Sequence, residues 1–153
     1  MKIFLLKKWF VLVLTSIVFL FISSPETFSA TDVSGWINVN TTWDLNGSPY
    51  NMVGRLYVRA DLTIEPGVIV NGNGNILDVS MTGSTLNVNG NSSSRVVFRD
   101  VKINSMMSGS FSSIRYAHIT GGQINNDVGQ FVLEDSYIEN LQNNIYLHMP
   151  TID

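Results

Sequence analysis

The sequence contains no cysteine, so neither disulfides nor thiolate metal sites are available to it, and lipid attachment through an N-terminal cysteine is excluded. Histidine is nearly as scarce. His118 and His148 are the only two, and no Ser, His and Asp spacing marks a nucleophile elbow or a triad. No metal site and no cofactor is expected. Basic residues are also few. Past Lys8 they are Arg55, Arg59, Arg95, Arg99, Lys102 and Arg115, against eleven acidic residues from Asp32 to Asp153, a balance that disfavours nucleic acid as a partner. Helical periodicity is almost absent after residue 30. Stability must therefore come from packing and from a backbone ladder.

What is present begins with an N-terminal segment unlike the rest. Met1-Lys2 and Lys7-Lys8 precede an apolar run from Trp9 to Ile22 that only Thr15 and Ser16 interrupt. At about 1.5 Å per residue this run spans roughly 21 Å, short of the ~30 Å needed to cross a bilayer. Residues 1–30 therefore read as a removable signal peptide, with cleavage between Ser24 and Ala30. The expected destination is the medium or the cell surface, with no membrane contact after cleavage. The remaining length suits one domain.

That domain is expected to be all-β. Short runs of Val, Ile, Leu and Phe recur between Gly, Asn, Ser and Asp, among them Arg55 to Val58, Leu62 to Ile64, Val68 to Val70, Thr85 to Val88 and Val96 to Phe98. Strands this short suit a solenoid better than a sandwich. An internal repeat points the same way: Phe98-Arg-Asp-Val-Lys-Ile103, Ile114-Arg-Tyr-Ala-His-Ile119 and Leu133-Glu-Asp-Ser-Tyr-Ile138 align as strand, tight turn, strand. Stacked in register, Phe98, Ile114 and Leu133 should form one interior column, and Ile103, Ile119 and Ile138 another.

The stretch from Thr41-Thr42-Trp43 through Gly47-Ser48-Pro49-Tyr50 and Gly54-Arg55-Leu56-Tyr57-Val58 to Leu62-Thr63-Ile64-Glu65-Pro66-Gly67-Val68 resembles the amino-terminal cap and first coil of a known family. The family is that of bacterial secreted proteins with a right-handed parallel β-helix, the pectate-lyase-like fold. The resemblance implies a cap segment over 31–54 and β-helix coils over 55–153. It implies fold alone, because such proteins include lyases, hydrolases, adhesins and members with no known chemistry. The chain stops soon after the strand-like Asn144 to Leu147. An open last coil is expected there, either as the front part of a longer protein or as a surface for self-association.

Two sets of residues are candidates for a site. Asp100 and Asp135 hold equivalent places in two repeats, and two coils would set them roughly 9 to 10 Å apart, at the outer edge for an inverting glycosidase. Asp is equally a turn residue, and the turn role is the expected one. The second set is cationic. Arg99, Arg115 and Glu134 should share one outward column, and Lys102, His118 and Tyr137 its neighbour, a surface suited to an anionic glycan. Trp36 and Trp43 are expected to plug the open end of the first coil. Alternating Asn71, Asn73, Asn75, Asn87, Asn89 and Asn91 read as an Asn ladder or as turn chemistry. The functional expectation is an extracellular β-helix module with a structural or binding role and no catalytic residues, whose partner is a polysaccharide or a cell-surface component. The alternative is the amino-terminal part of a carbohydrate-active enzyme, a lyase or glycoside hydrolase acting on acidic polysaccharide.

Overall fold

A computed structural model describes residues 29–143 and 145–147. The signal peptide expected over 1–30 lies outside the described residues except for its last two, as do His148 and residues 149–153.

The chain winds as a parallel β-solenoid of about 5 turns. The first coil holds β1 (Thr31–Ile37) and β2 (Thr41–Trp43), and after a 3-10 turn at Leu45–Gly47 the second holds β3 (Tyr50–Val58) and β4 (Asp61–Ile64). The third holds β5 (Ile69–Asn71), β6 (Ile76–Asp78) and β7 (Thr85–Asn89). The fourth holds β8 (Val96–Arg99), β9 (Lys102–Ser105) and β10 (Phe111–Arg115). Then come β11 (Ala117–Thr120), β12 (Gln123–Asn126) and β13 (Gln130–Glu134), followed by β14 (Tyr137–Glu139) and β15 (Tyr146–Leu147). Every pairing is parallel and joins one coil to the next. The stack has three faces: β5, β8, β11 and β14 on the first, β6, β9, β12 and β15 on the second, and β2, β4, β7, β10 and β13 on the third. β1 and β3 are long enough to serve both the first face and the second.

Alternation explains why each short segment sits as it does. In β4, Leu62 and Ile64 are fully buried while Asp61 and Thr63 are half-exposed, and β7 repeats the pattern with Leu86 and Val88 inside. Period-two burial of β-branched and aliphatic residues gives each strand one inner face. Stacking then makes columns. Trp43, Ile64, Val88, Ile114 and Leu133 line the third face, Tyr50, Val70, Phe98, Ile119 and Ile138 the first, and Leu56, Leu77, Ile103 and Ile124 the second. Each fully buried aliphatic or Phe side chain contributes roughly 1.5–3 kcal/mol. The half-buried apolar residues packed on this core are Val33 and Ile37 in the first coil and Phe131, Leu133, Ile138 and Leu141 in the last. Among the described residues the interior is fully buried in the middle coils and half-buried in parts of the first and last.

The columns correct the expected repeat register in part. The three hexapeptides do share one shape, since Asp100, Tyr116 and Asp135 each adopt the left-handed conformation between two strands, with φ of 51, 49 and 49°. They do not occupy one corner. Tyr116 and Asp135 turn the chain from the third face to the first, whereas Asp100 turns it from the first to the second. Ile114 stacks under Leu133, and Ile119 under Ile138, as expected. Phe98 instead lies between Val70 and Ile119, and Ile103 between Leu77 and Ile124. The step from 98 to 114 falls one face short of a complete coil.

Trp36 and Trp43 part company. Trp43 is buried and stacks on Tyr50 with centroids 4.5 Å apart, so it fills the first coil from inside. Trp36, expected as a second plug, lies outside on the second face. There it stacks on Tyr57 at 4.0 Å, and the Arg59 guanidinium sits 3.6 Å from its ring. Its parity decides this: Val33 and Ile37 point inward on β1, so Trp36 points out. The Tyr50 hydroxyl accepts a hydrogen bond from the Asp44 amide at 3.1 Å, and burial raises its pKa, which keeps the phenol neutral.

Candidate functional site

The register distributes the five cationic-surface candidates over all three faces. Arg99 stands on the first face between Asn71 and Thr120, exposed and in no ion pair among the described residues. His118 and Tyr137 are stacked on that same face, and His118 Nε2 lies 2.8 Å from Glu139 Oε1. Tyr137 is covered by the Arg95 guanidinium at 4.5 Å, which also donates to the Asp135 carbonyl. Arg115 is on the third face, directly beside Glu134 at 3.0 Å, with both side chains about half-exposed at 54% and 52%. Such a pair contributes a few tenths of a kcal/mol. Lys102 is on the second face between Ile76 and Gln123. Each of the two expected columns keeps a pair, Arg115 with Glu134 and His118 with Tyr137, and loses one member, because Arg99 and Lys102 belong to the corner that the repeat alignment misassigned.

Asp100 and Asp135 are likewise separated onto different corners. Asp100 Oδ1 accepts from Gln142 Nε2 at 2.8 Å and, like Asp135, holds a left-handed turn that Asp tolerates better than most residues. The turn role accounts for both.

What the fold does bring together is a column on the second face that sequence reasoning missed. Trp36, Tyr57, Asp78, Asn104, Asn125 and Tyr146 are successive register partners, one per coil. Parallel strands set them about 4.8 Å apart. The upper half is a chain of amides that all donate in one direction. Asn143 Nδ2 donates to Gln123 Oε1 at 3.4 Å, Gln123 Nε2 to Asn125 Oδ1 at 2.8 Å, and Asn125 Nδ2 to Asn104 Oδ1 at 3.1 Å. Aligned donors and acceptors of this kind polarise one another. Next in line stands Asp78.

Asp78 is the unusual member. Its side chain is only 8% exposed, its Oδ2 is paired with Arg55, and its Oδ1 has no hydrogen-bond partner among the described residues. The Arg55 guanidinium lies 4.9 Å from the Tyr57 ring, and its hydrogen bond to the Asp78 carboxylate raises its pKa further. An unmet carboxylate oxygen buried this deeply carries a desolvation cost. Asp78 Oδ1 is enclosed, so what the face offers a ligand is the Asn104, Gln123 and Asn125 amides, which both donate and accept, with Lys102 on the flank. That combination matches polyols. Among the described residues no group of three or more His, Cys, Asp or Glu is placed to hold a metal ion.

The signal for this column was present in the asparagines but at another spacing. Partners in the ladders are one coil apart, Asn51 with Asn71 at 2.9 Å and Asn104 with Asn125, separated by 20 and 21 residues. Asn71 belongs to a ladder and the Asn91 side chain closes a turn, as expected, but ladder partners lie one coil apart rather than within 71–75 or 87–91.

No protein-family model, curated protein or solved structure matches this chain.

Proposed function

We propose that the protein is a secreted or cell-surface β-helix module of the pectate-lyase-like type whose role is binding, and that it holds a polysaccharide or another hydroxyl-rich cell-surface component on its second face. The observation that carries this reading is the in-register column Asp78, Asn104 and Asn125, in which the Asn104 and Asn125 amides stand half-exposed on the sheet. Polar groups repeating at about 4.8 Å along a flat sheet can contact successive units of an extended chain. The likeness of the Thr41 to Val68 stretch to exported β-helix proteins supports the extracellular setting, as does the signal-like segment before residue 30. Of the five cationic candidates, Lys102 belongs to this surface, and Arg99, Arg115, His118 and Tyr137 face elsewhere.

Affinity electrophoresis through gels containing polygalacturonate, alginate or a neutral glucan tests the proposal. At least one polymer should retard the protein. The double variant Asn104→Ala with Asn125→Ala should weaken binding about tenfold or more, the effect of losing one to two net hydrogen bonds, while Arg115→Ala on the third face leaves it unchanged. Retardation abolished by Arg115→Ala but not by the double variant would move the site off the second face. Polymer degradation in the same assays would instead favour the carbohydrate-active enzyme reading.

A further inference from the structure

We propose that Asn46–Gly47 is a modification site, a step at which the folded protein deamidates spontaneously through a succinimide with the Asp44 carboxylate as the base, while its other Asn–Gly steps are shielded by the coil ladder. The reaction joins the Gly47 backbone nitrogen to Asn46 Cγ and breaks the Cγ–Nδ2 bond, releasing ammonia. Water then opens the imide at either carbonyl, leaving aspartate or isoaspartate. Overall one side-chain amide and one water become one carboxylate and one ammonium ion. Two requirements follow: the glycine N–H must give up its proton, and the nitrogen must be free to tilt toward the side chain.

Three of the four steps fail both requirements. Gly72 N donates to the Arg99 carbonyl at 2.7 Å, Gly74 N to the Asp100 carbonyl at 2.9 Å, and Gly90 N to the Arg115 carbonyl at 3.1 Å, each from the coil above. A carbonyl holds the proton but is too weak a base to take it. The attacked amides are also engaged: Asn71 Nδ2 donates to Asn51 Oδ1 at 2.9 Å and Asn73 Nδ2 to the Met52 carbonyl at 3.3 Å. Gly72 is further pressed against the Asp100–Val101 backbone, so its plane cannot turn.

Asn46–Gly47 differs in what holds it: its amide is bound too, but by a carboxylate rather than by the ladder, and Gly47 lies against the Tyr50 side chain rather than against backbone. It lies in the short 3-10 turn outside the ladder, and Asn46 is exposed. The Gly47 N–H reaches only Asp44 Oδ1, at a long 3.3 Å, and Asp44 Oδ2 accepts from Asn46 Nδ2 at 3.2 Å. One carboxylate thus touches both the proton that must be lost and the amine that must leave. A positioned general base of this kind accelerates proton transfer by roughly 100-fold or more.

The test is peptide mapping by mass spectrometry after incubating the intact protein in mildly alkaline buffer, folded and in denaturant. In the folded protein the mass gain of deamidation should be confined to the peptide carrying Asn46, and in denaturant all four Asn–Gly steps should convert. Asp44→Ser keeps a residue that caps the turn but lacks the carboxylate, and it should slow conversion at Asn46 in the folded protein by about tenfold or more. Conversion at Asn71, Asn73 or Asn89 as fast as at Asn46 in the folded state overturns the site assignment. An unchanged rate in Asp44→Ser overturns the role of the carboxylate.

Discussion

Replacing Phe98 with alanine should leave the solenoid barely folded. Phe98 is fully buried in the middle of the first-face column, with Val70 beneath it and Ile119 above. Truncation removes the largest fully buried side chain of that column and opens a cavity that the ladder cannot close, since the strands on either side are held at fixed spacing by the backbone. Phe→Ala changes in such settings cost about 3–5 kcal/mol, against a total stability of about 5–15 kcal/mol for a domain. Thermal unfolding followed by circular dichroism should show a midpoint lowered by roughly 10–20 °C. Phe131→Ala is the internal comparison, because Phe131 is only half-buried on the last coil and should cost clearly less. Equal shifts for the two variants would mean that the interior is not closed around Phe98.

Gly122→Ala should be nearly as damaging for a different reason. Gly122 has a φ of 69°, and a Cβ on it would run into the backbone of Val101 in the coil below, 2.6 Å from the carbonyl carbon and 2.7 Å from the nitrogen. The left-handed backbone alone costs a non-glycine residue about 1–2 kcal/mol, and displacing a neighbouring backbone adds to it, for roughly 3 kcal/mol in all. Gly83 separates the two contributions. Its φ is 80°, yet a Cβ there meets nothing within 4 Å, so Gly83→Ala should cost only about 1 kcal/mol. Urea unfolding of both variants decides the matter. Matching losses would show that the coils are not packed as tightly at this corner as the geometry requires.

The fold class was legible in the sequence because apolar runs only three to five residues long, punctuated by Gly, Asn and Asp, have few other ways to bury one face. The local corner was legible too: Asp100, Tyr116 and Asp135 all sit where a left-handed residue joins two strands. Which corner each one closes was not. The same strand, turn and strand can close any corner of a three-faced coil, and nothing in six residues says which face comes next. Arg115 beside Glu134 was found because those two repeats lie a whole coil apart, and Arg99 was misplaced because its repeat does not. Trp36 could have been placed from parity alone, since the inward Val33 and Ile37 leave it outside. The second-face column escaped notice because its members come from four or more coils and share no local motif. Only the register gathers them.

That register underlies both the binding face and the protection of the asparagines, and the absence of cysteine from the sequence makes it directly testable. Two double variants suffice. Asn104→Cys with Asn125→Cys places thiols on register partners in adjacent coils, where parallel strands at about 4.8 Å bring the Cα atoms within the span of a disulfide. Arg99→Cys with Arg115→Cys places them where the sequence repeat alone would stack them, but on different faces of the solenoid. After mild oxidation, thiol counting by mass spectrometry should find the first pair joined within one chain and the second pair free. A disulfide in the second pair with free thiols in the first would contradict the coil register and the binding surface built on it.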